Sequence, residues 1–197
     1  LFYVLGGAVV AELAMTERAE PREKGPLSRP IYPVGSARPA DALLGPAWDY
    51  LVDKPRKVQT LLAAVGPELR APVLERLVER GDLTKEKYKS LGFIPATRYA
   101  LGSGRRAELM ERVQAVLLRG EEPDPRTGAL VALLSASGTL PQFYREIPWS
   151  GDVYTRGKEL EKGDWGAAAA ASAVTRTMMA LVSSSLAVAA AQTASNN

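Results

Sequence analysis

Apolar residues recur at three- and four-residue spacing in several segments of the chain, which is the pattern of amphipathic helices. The spacing predicts a helix from Leu69 to Val78, with Pro72 in its first turn and Gly81 as a left-handed C-cap. A clear amphipathic helix is also predicted from Arg105 to Arg119. Shorter apolar segments predict helices over residues 1–14, 41–52, 58–65, 127–137 and 154–161. In the first of these, Gly6, Gly7 and Ala8 permit close packing against another element, and Asp41 can cap the second.

The segment from Trp165 to about Gln192 is very rich in Ala and about long enough to span a bilayer. Arg176 lies in its middle, where a charge costs about 2.5–3.5 kcal/mol on insertion. Ala itself contributes little insertion energy. We therefore expect a buried Ala-rich helix at the centre of a bundle, where small side chains let neighbouring helices approach closely.

Extended segments are few and short. Residues 16–40 carry five prolines and are expected to be an irregular, partly disordered loop with a short edge strand near Ile31. After Gly81, two extended runs flank a turn at Gly92–Pro95 and predict a β-hairpin. The fold class predicted is mainly α: one domain over residues 1–197, built around the central Ala-rich helix, with one or two projecting β-hairpins.

Composition narrows the chemistry. The 197 residues include no Cys and no His, and the formal net charge is +3, so any basic surface must be local. Disulfides, thiolate nucleophiles and Ser-His-Asp triads are therefore excluded. No P-loop, metal-spaced acidic cluster or convergent set of carboxylates is visible. We predict a binding protein and not an enzyme, with no catalytic residue, metal site or cofactor.

The predicted hairpin has an apolar tip inside a basic collar. Phe93 and Ile94 occupy the turn, and Lys87, Lys89 and Arg98 flank it. Large apolar side chains exposed in this way need a partner. A membrane surface would take the tip into its acyl boundary and the cations at its headgroups. Alternatively, the tip packs on the protein's own core.

Nucleic acid is a third possible partner for the collar, since a helix followed by a basic two-stranded wing resembles a winged-helix module. Phosphate binding would require the helix before the hairpin to present basic residues outward. Glu75 and Glu79 alternate there with Arg76 and Arg80. This alternation disfavours nucleic acid.

Five stretches lie in order over nearly the whole chain: residues 5–14, 74–83, 92–99, 124–134 and 163–165. Together they resemble the Golgi phosphoprotein 3 family in its bacterial, actinobacterial-type form. The resemblance implies a mostly helical fold around a central apolar helix, with a projecting β-hairpin that inserts into or touches the membrane. In eukaryotic members it implies phosphatidylinositol 4-phosphate recognition at the cytosolic face of the Golgi and retention of glycosyltransferases through their tails.

The headgroup pocket of the family is only partly retained in this sequence. Its first-helix Arg falls on Gly6, and its basic pair falls on Pro67 and Arg70. A phosphate needs several converging donors to be bound specifically. We therefore expect Arg70, with Arg98, to contact anionic phospholipid headgroups with reduced specificity. The residues expected to form the membrane-contact hairpin are Leu91, Phe93, Ile94 and Tyr99.

The resulting prediction is a non-catalytic peripheral membrane-binding adaptor. Its expected location is the cytoplasm, at the cytoplasmic face of a membrane. Client protein tails and further copies of the chain are possible partners, and a protein-interaction module is the alternative if lipid is not bound. Because the sequence begins at Leu1 and not at a Met, we also expect residues before it.

Overall fold

The computed structural model of the protein describes residues 1–24, 29–91, 93–163 and 177–182. Within these ranges the chain is mainly α-helical, with two small antiparallel two-stranded sheets, as the sequence predicts. Short 3₁₀ turns lie at Gly66–Glu68 and Leu140–Phe143. The elements are α1 (Phe2–Met15), β1 (Ala19–Pro21), β2 (Ile31–Pro33), α2 (Gly45–Asp53), α3 (Val58–Val65), α4 (Arg70–Glu79), β3 (Leu83–Ser90), β4 (Ile94–Leu101), α5 (Arg105–Leu118), α6 (Pro125–Ala136) and α7 (Gly151–Glu161).

Helix α1 lies in the core, between α3 and α6. Its glycines allow this close approach. A Cβ on Gly6 would lie 3.2 Å from Cδ2 of Leu62, and one on Gly7 would lie 2.6 Å from Cδ2 of Leu133. The predicted role of these glycines in helix packing is confirmed, and it buries Gly6 beneath α3.

Most of the expected central Ala-rich helix, residues 165–192, lies outside the described residues. Residues 177–182 are described and are helical. Met178 is fully buried, and Ala180, Leu181 and Val182 are nearly so. This turn and a half of helix therefore belongs to the core.

Among the described helices, polar side chains cap the starts of α6 and α7. Asp124 caps α6, because its Oδ1 accepts hydrogen bonds from the backbone N–H groups of Arg126 and Thr127 at 3.0 and 3.2 Å. The predicted cap at Asp41 is wrong, since α2 begins only at Gly45. The Asp41 carboxylate instead accepts from the N–H of Leu43 within the preceding turn.

The region 16–40 is more ordered than its prolines suggest. Strands β1 and β2 pair antiparallel, with Ala19 opposite Pro33, and the predicted edge strand near Ile31 is confirmed. Ile31 is fully buried and exchanges backbone hydrogen bonds with Arg56. The expectation of an irregular loop is wrong at β1, where Ala19 is buried and pairs with β2. This burial depends on residues distant in the sequence, so the local pattern did not indicate it. Residues 25–28 lie outside the described residues.

Candidate functional site

The β3–β4 hairpin is rooted by backbone and side-chain contacts at the end of α4. Gly81 adopts φ +72°, and its N–H donates to the carbonyl of Val78, so the predicted left-handed C-cap is confirmed. The N–H of Gly102 donates to the carbonyl of Asp82 at 3.0 Å. Ser103 Oγ donates to Oδ1 of the same Asp82 at 2.6 Å. These contacts join the two ends of the hairpin.

The hairpin register runs from Leu83 opposite Leu101 to Ser90 opposite Ile94. Successive strand residues point to opposite faces, and directly opposed residues share a face. The register therefore defines two surfaces. The lysine face carries Leu83, Lys85, Lys87, Lys89, Pro95, Thr97, Tyr99 and Leu101, and the ion-pair face carries Thr84, Glu86, Tyr88, Ile94, Ala96, Arg98 and Ala100.

The hairpin tip is apolar and exposed to solvent. The side chains of Leu91, Phe93 and Ile94 are 79, 73 and 46% exposed, respectively. Leu91 has φ +52°, in the left-handed region that non-glycine residues seldom adopt. Of the interpretations of the tip, packing on the protein's own core is therefore wrong for the described residues.

Tyr99, predicted as a membrane-contact residue, lies on the hairpin but away from its tip. It is opposite Lys85, near the root. Together they line a small cavity of about 160 Å³ against α4, whose Glu75 and Glu79 line the other side. Tyr99 is thus positioned to support the hairpin on α4 more than to reach beyond it.

Sequence reasoning missed one exposed aromatic residue of the hairpin. Tyr88 lies on the ion-pair face and is 47% exposed. The alternation of side chains along β3 was the available signal, because it places Tyr88 on the face opposite Lys87 and Lys89. It adds apolar surface to the face on which Ile94 also lies.

The two predicted headgroup residues lie in different surroundings. Arg98 Nε donates to Glu86 Oε2 at 2.6 Å across the strands, so its charge is largely balanced. Arg70 is the first residue of α4, is exposed, and has no ion pair with any described residue. No described contact brings the two arginines together. Of these two arginines, Arg70 is therefore the one that no described carboxylate engages.

A bidentate ion pair connects helix α4 to the turn before α2. The Arg76 guanidinium donates to both carboxylate oxygens of Asp41, at 2.8 and 2.6 Å. The hydrogen bond from Arg76 lowers the pKa of Asp41 despite the opposing effect of partial burial. This contact fixes the helix from which the hairpin projects.

The described residues contain no group of three or more His, Cys, Asp or Glu side chains placed to hold a metal ion. In the same part of the chain, no helix has both the length and the apolar character needed to cross a bilayer. The exposed apolar tip of the hairpin is the candidate binding surface.

Comparison with known proteins identifies the protein family to which the chain belongs. A search of curated proteins gives no match. The family model described as Golgi phosphoprotein 3 (GPP34) matches residues 1–177, a span that includes α1, the hairpin and α7. This match covers far more than half of the sequence. The chain belongs to the Golgi phosphoprotein 3 (GPP34) family.

Proposed function

We propose that this protein is a non-catalytic peripheral membrane-binding adaptor that enters the membrane interface with its hairpin tip. The observation that carries the proposal is the exposure of Leu91, Phe93 and Ile94 at the end of a hairpin that projects from the body. Apolar side chains in such a position are stabilised by leaving water. Membership of the Golgi phosphoprotein 3 family is consistent with this role.

The tip carries enough apolar surface for a reversible contact. Fully burying a side chain such as Leu, Ile or Phe is worth about 1.5–3 kcal/mol. Phe93, with 73% of its surface exposed, has most of that gain still available. Insertion to the acyl boundary buries only part of each side chain, so the tip needs additional attraction from charge.

Arg70 is the proposed headgroup ligand. Its guanidinium is exposed at the first position of α4, where the helix dipole also favours an anion. The other positions of the family's pocket, Gly6 and Pro67, carry no charge. We therefore propose anionic-lipid binding with reduced preference for phosphatidylinositol 4-phosphate, at the cytoplasmic face of a membrane. Client protein tails and self-association are compatible with the same surface.

The test is flotation with vesicles of neutral lipid, generic anionic lipid, and lipid containing phosphatidylinositol 4-phosphate. Phe93→Ser/Ile94→Ser is expected to abolish flotation with anionic vesicles. Leu118→Ser/Tyr144→Ser is the matched control, because it removes two exposed apolar side chains away from the hairpin. Circular dichroism verifies that each variant is folded.

Two results would overturn the proposal. One is no flotation of the wild type with any vesicle, and the other is equal loss in the tip variant and the matched control. Arg70→Ala tests the headgroup contact separately. If it removes a marked preference for the phosphoinositide, the headgroup site has kept its specificity and the proposed reduction is wrong.

A further inference from the structure

We propose that Lys87 and Lys89, and not Arg98, bind the phosphates of anionic phospholipids beside the hairpin tip. Because this role rests on the proposed membrane binding, it names the lipid class recognised by that same site. The class is any bilayer with sufficient negative surface charge, without selection for one headgroup.

The register of the hairpin separates the charges. Lys87 lies opposite Thr97, and Lys89 lies opposite Pro95, so neither lysine has a charged cross-strand partner. Both lysines are exposed, and neither forms an ion pair with a described residue. The lysine face therefore presents positive charge without a balancing carboxylate along its outer half.

Charge is balanced on the opposite face. Glu86 and Arg98 lie directly opposite each other and form an ion pair of 2.6 Å. For Arg98 to bind a lipid phosphate, it would have to release this carboxylate and leave a negative charge facing an anionic surface. Arg98 is therefore a poorer phosphate ligand than its exposure suggests.

Depth along the strand distinguishes the lysines from one another. A strand rises about 3.3 Å per residue, which places Lys89 about 7 Å and Lys87 about 13 Å from Leu91 along the chain. Both fall near headgroup level when Leu91 enters the interface. Lys85 is farther from the tip and shares its cavity with Glu75 and Glu79 of α4. Its contribution is expected to be the smallest.

The chemistry of lysine explains the lack of headgroup selection. An ammonium group is a point charge on a flexible stem, whereas selective phosphate recognition uses several fixed donors. The cross-strand partners of Lys87 and Lys89 are Thr97 and Pro95, which bring no further charged donor to a phosphate. Affinity should therefore follow the total charge of the bilayer.

The experiment compares two charge variants of the full chain. Lys87→Gln/Lys89→Gln removes the proposed ligands. Glu86→Gln/Arg98→Gln removes the ion pair from the opposite face without changing net charge. Binding is measured by flotation with phosphatidylcholine vesicles containing phosphatidylserine, or containing phosphatidylinositol 4-phosphate at matched total charge, at low and moderate salt. Lys54→Gln/Lys57→Gln loses the same two charges from another exposed site.

We expect each lysine of the hairpin to contribute about fivefold in affinity at low salt, so the double variant should bind about 25-fold more weakly. Its binding should also depend less on salt, because charges near the bilayer are screened within about 10 Å at 0.1 M. Glu86→Gln/Arg98→Gln should bind like the wild type. The two vesicle types should bind equally at matched charge.

The outcomes separate this inference from the proposed function. If the wild type binds no vesicle, membrane binding itself fails. If Phe93→Ser/Ile94→Ser abolishes binding but Lys87→Gln/Lys89→Gln does not weaken it, membrane binding stands and the lysine role is overturned. Three other results would also overturn the lysine role. They are loss of binding in Glu86→Gln/Arg98→Gln, a preference for the phosphoinositide at matched charge, and tighter binding to duplex DNA than to vesicles.

Discussion

Replacing Gly102 with Ala tests how the hairpin is rooted. A Cβ at this position would lie 2.3 Å from the carbonyl oxygen of Gly81 and 3.2 Å from its carbonyl carbon. Both atoms belong to backbone that ends α4, so no flexible side chain can move aside. The clash itself, and not an unusual backbone angle, makes glycine necessary here.

The expected magnitude follows from the displacement required. Carbon and carbonyl oxygen approach to about 3.3 Å at closest in favourable contacts, so the backbone at Gly102 must move about 1 Å away from Gly81. The hydrogen bond from Gly102 N–H to the Asp82 carbonyl, now 3.0 Å, lies in the same place and would be weakened or lost. Overpacking costs about 1–3 kcal/mol and a lost hydrogen bond about 1 kcal/mol. We expect Gly102→Ala to lower the free energy of unfolding by about 2–4 kcal/mol.

Urea unfolding followed by circular dichroism measures this change. Gly151→Ala is the control, because no heavy atom lies within 4 Å of its added Cβ and the residue begins α7. Ala favours a helix over Gly by up to about 1 kcal/mol, so the control should be neutral or stabilised. If the free energy of unfolding of Gly102→Ala lies within about 0.5 kcal/mol of the wild-type value, which is the size of an extrapolation error, the close approach at the root is refuted.

Three further substitutions test other contacts. Leu91→Asn should raise the free energy of unfolding by about 0.5–1 kcal/mol, because Asn tolerates the left-handed φ better than Leu. The same change should weaken vesicle flotation, because it removes an apolar side chain from the tip. A variant that is less stable than the wild type would contradict this reasoning. Arg76 lowers the pKa of Asp41, so their pair stabilises the fold at neutral pH and is lost as pH falls through that lowered value. Asp41→Asn should cost about 1 kcal/mol or less at pH 7, with the difference shrinking below about pH 4 in urea titrations. Asp124→Ala should cost about 1 kcal/mol by the same assay, and Asp124→Asn less, since Asn keeps the cap.

Local sequence was sufficient to predict most helices and the hairpin. The predicted helix over residues 58–65 coincides with α3, and the predicted start of α5 at Arg105 is confirmed. These segments combine a 3.6-residue apolar period with Gly or Pro at their ends, so the pattern and the boundary signals agree. The apolar tip was predictable for a similar reason, because turn residues and apolar residues coincide at Phe93 and Ile94.

Contacts between distant residues limited the sequence-based prediction. Asp41 has the chemistry of a helix cap, yet its carboxylate is engaged by Arg76, 35 positions away in the sequence. Helix α2 begins only at Gly45, with Pro46 in its first turn, so Asp41 alone did not indicate where it starts. Short polar side chains serve caps, turns and ion pairs equally well, and only the surrounding fold selects among these roles.

The sequence by itself determined which segments form helices, that a hairpin follows α4, and that its turn is apolar, since each of these depends on residues close together in the chain. Only the tertiary structure decided which charges of the hairpin are free. Arg98 and the lysines look alike in the sequence, but the strand register places Arg98 opposite Glu86 and leaves Lys87 and Lys89 opposite uncharged residues. The reason is physical: a shift of one residue in register would move every side chain of a strand to the other face, and that choice is made by pairing between strands and not within one.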